Sequence, residues 1–208
     1  MTEPAKTKLV ERTLDLESLK ALAHPLRVQI IDALSTYGAF TASGLAERLS
    51  ESSGATSYHL RQLEKHGFVR EVEGKGTGRE RWWERIPGGI QLGLPEISDT
   101  PAGRAATTTV VRELERSRST ALSDFLEHGR ELLGPECVHA GTVSTVSVRL
   151  TIEQLEELAT SWEEFAQAFL EKYRGQDLPG SRPVQVHFNA FPVVDGEVSP
   201  AAEGEPAP

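Results

Sequence analysis

Apolar residues recur at steps of three and four through the first third of the chain, then at steps of two, and then again at helical spacing. In LDLESLKALA (14–23), Leu16, Leu19, Leu22 and Ala23 share a helix face, and Pro25 ends that helix while suiting the first turn of the next. PLRVQIIDALSTYG places Leu26, Ile30, Ile31 and Leu34 on one face and stops at Gly38. Thr41 opens a third helix, TASGLAERLS, with Leu45, Ala46 and Leu49 turned inward. After the turn SESSG, Ser52 or Ser53 caps a fourth helix that runs to Gly67. From Phe68 the period changes to two: FVREVE, a tip GKGTG, and RERWWER describe a β-hairpin. Short helices followed by a Gly-tipped hairpin form a winged helix-turn-helix outline over 13–85.

Beyond it, 86–103 is rich in Gly and Pro and reads as a linker. A long helix is expected from about Arg104 to Leu133, with an imperfect seam of Val111, Leu114, Ala121, Leu122, Phe125 and Leu132, spanning ~40 Å at 1.5 Å per residue. VSTVSVRL (143–150) and VQVHFNAFPVV (184–194) read as strands. Between them Thr151 and Gln154 make a capping-box signature for a helix whose Leu155, Leu158, Trp162, Phe165, Phe169 and Tyr173 form an apolar stripe. Plain core packing is the favoured fate of that stripe, with a dimer interface or ligand pocket as the alternatives. The end, 195–208, has too few apolar residues to fold and reads as a disordered tail. The expected fold class is α+β: a winged helix-turn-helix, then a long helix and a small α+β C-terminal unit, with 104–194 serving dimerisation or effector binding.

A net charge of -9 over 208 residues argues at first sight against a nucleic-acid partner. Its distribution reverses that inference. Residues 136–208 carry four Lys+Arg against twelve Asp+Glu, so all but one unit of the negative charge lies there. Residues 58–85 hold seven basic and five acidic side chains with two histidines, a local basic footprint. No apolar run approaches the ~18 residues of a membrane span, and the charged N-terminus lacks a following hydrophobic region, so a cytoplasmic protein is expected. The single cysteine, Cys137, cannot form an internal disulfide.

On the fourth helix, Thr56, Leu60 and Leu63 turn to the core, which leaves Gly54, Ser57, Tyr58, Arg61 and Lys65 on the other side. Short hydroxyls and a glycine allow close approach to a major groove, Arg61 reaches a guanine edge, and Lys65 meets phosphate. His59 lies at the side of that face. In the hairpin, alternation groups Arg79, Arg81, Trp83 and Arg85 against Glu80, Trp82 and Glu84. Arg79 and Lys75 near the tip reach toward backbone or minor groove. The plainer reading gives Arg81 and Arg85 to the interleaved glutamates and one tryptophan to the core.

The segments LKALAHPLRVQIIDAL, GLAERL, TSYHLRQLEKHGFV and GTGRERWW resemble the ArsR-type winged-helix transcriptional regulators, in the branch without metal-binding cysteines. The resemblance covers 16–85, about a third of the chain. It implies that Ser53, Gly54, Ser57, Tyr58 and Arg61 face DNA, and that a homodimer binds pseudo-palindromic DNA, often as a repressor relieved by a signal. GLAERL has no cysteine, so the thiolate site of the metal-sensing members cannot form there.

Other constellations carry less. Cys137 and His139 would share a face if extended, yet two ligands fall short of a zinc site. Ser57 and His59 point apart on a helix, and GKGTGRE lacks the strand-to-helix context of a nucleotide loop. The expectation is therefore a regulator and not an enzyme, with neither metal nor cofactor, whose partners are double-stranded DNA and a second copy of the chain. The alternatives are a winged-helix protein-interaction module without DNA binding, and a regulator sensing a small-molecule effector through its C-terminal region.

Overall fold

A computed structural model describes residues 12–76, 80–87, 90–91, 100–173, 178–197 and 199. By contact the chain divides into two compact units, 1–144 and 145–208.

The first unit is built around four helices. In α1 (Leu16–Leu22), Asp15 caps the N-terminus by accepting from the Ser18 amide at 2.7 Å. His24 caps α2 (Pro25–Tyr37) in the same way, its Nδ1 accepting from the Leu26 amide, and Pro25 stands where no intrahelical donor is needed. Thr41 caps α3 (Ala42–Leu49), as the sequence predicts, and of the two candidates Ser52 and Ser53 it is Ser52 that caps α4 (Ser53–Lys65). The turn between α3 and α4 passes through Ser50 in the left-handed region, φ 55°, and closes with the Glu51 amide donating to the Ala46 carbonyl. Leu19, Leu22, Leu26, Ile30, Leu34, Leu45, Leu60, Leu63 and Phe68 fill one core. Thr56 is wholly buried in it, and its hydroxyl donates to the Ala42 carbonyl at 2.8 Å, tying α4 to α3.

The hairpin is present, with an addition. Strand β3 (Val69–Glu71) pairs antiparallel with β4 (Trp82–Arg85), and β4 also pairs with β2 (Phe40–Thr41) on its other edge. Trp83, opposite Phe40, is 3% exposed and is the core tryptophan, which fixes the wing to the helices. A further parallel pair joins β1 (Arg12–Thr13) to β5 (Ile90–Gln91), inside the segment read as linker. Its remaining residues 88–89 and 92–99 lie outside the described ones.

The long helix α5 (Pro101–Leu133) starts earlier than the periodicity predicts, because Thr100 caps it from the Gly103 amide and Pro101 takes the first position. Its first half belongs to the helix-turn-helix core. Ala106 and Val110 are buried there, the Glu113 carboxylate accepts from the Gln29 amide, and the Ser117 hydroxyl donates to Asp32 of α2. A short helix α6 (Pro135–Ala140) follows. Cys137 and His139 sit on it two residues apart, so they point in different directions and the shared strand face does not exist. Among the described residues no three His, Cys, Asp or Glu come together as metal ligands, and no helix is long and apolar enough to cross a membrane.

In the second unit, α7 (Ile152–Tyr173) carries the predicted capping box: the Gln154 side chain accepts from the Thr151 amide at 3.0 Å, and Thr151 Oγ1 accepts from the Gln154 amide at 3.3 Å. Residues 143–150 and 184–194, expected as strands, form no strand among the described residues, and the second segment runs into a turn at Val194. Trp162 stacks on Phe188 at 4.6 Å, whereas Phe165, Phe169 and Tyr173 stay exposed. The stripe expected to be core is therefore surface in the single chain. Of the expected tail, 195–197 and 199 are described and the rest lies outside.

Candidate nucleic-acid interface

Burial of Thr56, Leu60 and Leu63 sets the roll of α4 about its axis, and the exposed side follows from it. Ser53, Gly54, Tyr58, Arg61 and Lys65 are exposed, and Ser57 and His59 are half-buried at the two margins. The first five predicted positions, Ser53, Gly54, Ser57, Tyr58 and Arg61, thus fall within about two and a half turns of one helix, roughly 12 Å. The Arg61 side chain forms no ion pair or hydrogen bond among the described residues, so its guanidinium is available to a ligand. Lys65 stands apart, in the last turn, beside an open depression lined by Asp15, Glu17, Ser18, His66 and Gly67 at the acidic start of α1.

Gly54 supports the interface reading in a specific way. A Cβ there would meet nothing within 4 Å, so no packing reason calls for glycine, which costs a helix up to about 1 kcal/mol relative to alanine. Gly54→Ala should raise the thermal midpoint of the free protein while weakening its affinity for any surface that approaches α4 closely. A lowered midpoint would show that the glycine serves the fold instead.

On the wing, Lys75 lies over the Trp82 ring at 4.2 Å, which holds the cation at the surface. Arg81 sits 3.6 Å from the carboxylate of Glu71 on β3 and not from an interleaved glutamate as the plainer reading has it; both partners are well exposed, and such a pair is worth little against a phosphate. Arg79 lies outside the described residues. Arg85 is structural: it donates to Ser35 Oγ at 3.0 Å, and burial lowers its pKa while Asp32 opposes that shift. Arg70 pairs with Glu84 across the hairpin at 2.6 Å.

Two residues next to this surface escape a reading of the helix faces. His24, the α2 cap, places its ring 4.4 Å from that of His59, and His59 lies edge-on to Tyr58 at 5.1 Å. Burial pushes both imidazoles below their ordinary value. Arg27 adds repulsion at His24, the neighbouring His24 and then Arg27 add it at His59, and Glu51 opposes the shift at both. The cap itself requires His24 Nδ1 without a proton, because it accepts there. The folded state therefore binds fewer protons than the unfolded one, so this contribution to stability is full above about pH 6.5 and declines as pH falls below it. Thermal melts between pH 5 and 8 should show a steeper acid loss for wild type than for the His24→Asn/His59→Gln protein, in which asparagine keeps a capping oxygen. Parallel pH profiles would rule this pair out as the source.

Residues 22–72 match the family model described as a helix-turn-helix domain. No curated protein is significantly similar to the chain. Among solved structures, similarity is found to the YusO protein from Bacillus subtilis, at 18% identity over 74% of this chain and 82% of that one, TM-score 0.32. It extends to the transcriptional regulator Tm0710 from Thermotoga maritima, at 13% identity over 77% and 89%, TM-score 0.30. RV1404 from Mycobacterium tuberculosis shows 15% identity over 74% and 84%, TM-score 0.29. The family match spans α2, α3, α4 and β3, the elements that carry the exposed face of α4, and residues 22–72 form a helix-turn-helix domain.

Proposed function

We propose that the protein is a sequence-specific DNA-binding transcriptional regulator of ArsR type, acting as a homodimeric repressor on a pseudo-palindromic operator. The observation that carries this reading is the exposed face of α4. A small-residue start at Ser53 and Gly54 is followed by Tyr58 and an unpaired Arg61, all on a helix whose opposite side is locked in the core. A recognition helix needs such a face, and two copies related by a two-fold axis would read half-sites about one helical turn apart, the wings of 13–85 lying on flanking backbone. Lys65, Lys75 and Arg81 supply backbone contacts in this reading, with Arg79, and the family match over 22–72 supports it. Residues 104–194 serve dimerisation. The exposed Phe165, Phe169 and Tyr173 of α7 and Leu122, Leu126 and Leu132 of α5 are apolar surface that a second copy would cover.

The test is selection of bound duplexes from a fragmented genomic pool at two salt concentrations, with the mass of the complex read alongside. Enrichment of a two-fold symmetric site by a protein of twice the chain mass supports the proposal. Failure to enrich any sequence favours a winged-helix interaction module, and enrichment only in the presence of a metabolite extract favours the effector-gated regulator.

A further inference from the structure

Arg27 lies on α2 between the core positions Leu26 and Val28, beside the flank of α4 that carries His59. Its Nε is buried without a hydrogen-bond partner, and the guanidinium makes no ion pair among the described residues. His59 Nδ1 is buried without a partner as well. Burial disfavours the charge on Arg27, and the one group that offsets this is Tyr58. Glu51, in the turn before α4, is the carboxylate whose field reaches His24 and His59. It is exposed and forms no pair with Arg27. A half-buried cation with no counter-charge is an expense that folded proteins ordinarily avoid by pairing or by placing the cation where a ligand completes it.

We propose that Arg27, flanked by His59 and His24, is an oxyanion site for a nucleic-acid backbone phosphate, extending the DNA-facing surface of α4 onto the start of α2. The assignment rests on the reading of α4 as the DNA-facing helix. The chemistry selects the ligand class: the cluster offers a guanidinium fork and imidazole N–H donors, its His24 Nδ1 acceptor is already taken by the Leu26 amide, and no carboxylate among the described residues pairs with Arg27, so its complement is a compact anion with several oxygens. Position selects the source. His59 contacts Tyr58, which is exposed on the reading face, so an anion held by Arg27 lies at the margin of that face, where a phosphodiester would run beside bases read from it. The competing role for Arg27 is packing alone, its alkyl stem covering apolar surface.

The full chain is melted in inorganic phosphate and in chloride at equal ionic strength, as wild type, Arg27→Gln and Arg27→Lys. The affinity of each for the selected duplex and for an unrelated duplex is then followed against salt. The expected result is a phosphate-dependent rise in midpoint for wild type and Arg27→Lys that is lost in Arg27→Gln, whose midpoint in chloride equals or exceeds that of wild type. Arg27→Gln should also weaken both duplexes by the same factor and lower the salt slope by about 1. A marked fall in the Arg27→Gln midpoint with an unchanged salt slope would make Arg27 a packing residue and overturn the proposal. Absence of any phosphate effect in wild type, with DNA binding intact, overturns it too and leaves the function of α4 standing. A phosphate effect in a wild-type protein that selects no duplex overturns the backbone assignment together with the DNA-reading function, leaving a site for a free anion.

Discussion

Leu60→Ala should lower the stability of the first unit by about 2–5 kcal/mol, the range for emptying a fully buried leucine site. For a domain of this size that corresponds to a fall in thermal midpoint on the order of 10–30 °C. Leu60 has no exposed surface and lies at the junction of α2, α3 and α4, where Ile30, Leu45 and Leu63 close around the same core. That packing is rigid because Thr56, one turn earlier, is pinned to the Ala42 carbonyl, so the backbone cannot slide to fill the void. Leu60→Met, which preserves volume, should cost less than about 1.5 kcal/mol. Tyr58→Ala, two positions away but 57% exposed, should change stability by about 0.5 kcal/mol or less. Melts followed by far-UV circular dichroism check the series. Equal losses for Leu60→Ala and Tyr58→Ala would mean that the roll of α4 is wrong and with it every assignment of its outer face.

That roll was legible without coordinates because it depends on local periodicity. The spacing of Thr56, Leu60 and Leu63 fixes one face, and the caps at Thr41, Ser52 and Thr151 are contacts within three residues. What escaped depends on distant parts of the chain. A two-residue strand has no period, so β2 beside β4, and β1 beside β5, could not be read from spacing. Alternation in VSTVSVRL is genuine, yet alternation specifies a strand only when an edge pairs with it, and among the described residues no strand pairs with 143–150. The helix at Pro135–Ala140 did carry a signal: Gly134 followed by Pro135 reads as a helix end and a new first turn. His24 and Arg27 are the instructive omission. Both stand in plain view in AHPLR, but their relation to His59 and Tyr58 arises where α2 crosses α4, which no helical wheel of either helix contains.

Arg61→Ala should abolish much of the discrimination between a selected duplex and its single-base variants while leaving the protein as stable as wild type. The structural half of that expectation follows from the exposure of Arg61, since truncation removes no side-chain hydrogen bond or ion pair among the described residues. The binding half follows from geometry. With α4 as the recognition helix, as proposed, an arginine on its outer face would present two parallel donors to the O6 and N7 acceptors of guanine, a contact worth about 1–3 kcal/mol, so affinity for the best site should fall roughly 5- to 150-fold. The loss should be confined to sequences bearing the preferred base, because a variant that already lacks that base has nothing further to lose. Lys65→Ala provides the contrast: a phosphate contact at the far end of α4 should weaken all duplexes alike and reduce the salt slope by about 1. Competition binding against a panel of single-base variants separates the two. If Arg61→Ala lowers affinity uniformly, the guanidinium touches backbone and base reading passes to Ser57 and Tyr58. If it changes nothing on any duplex, Arg61 makes no contact with DNA and the base-reading role proposed for it fails.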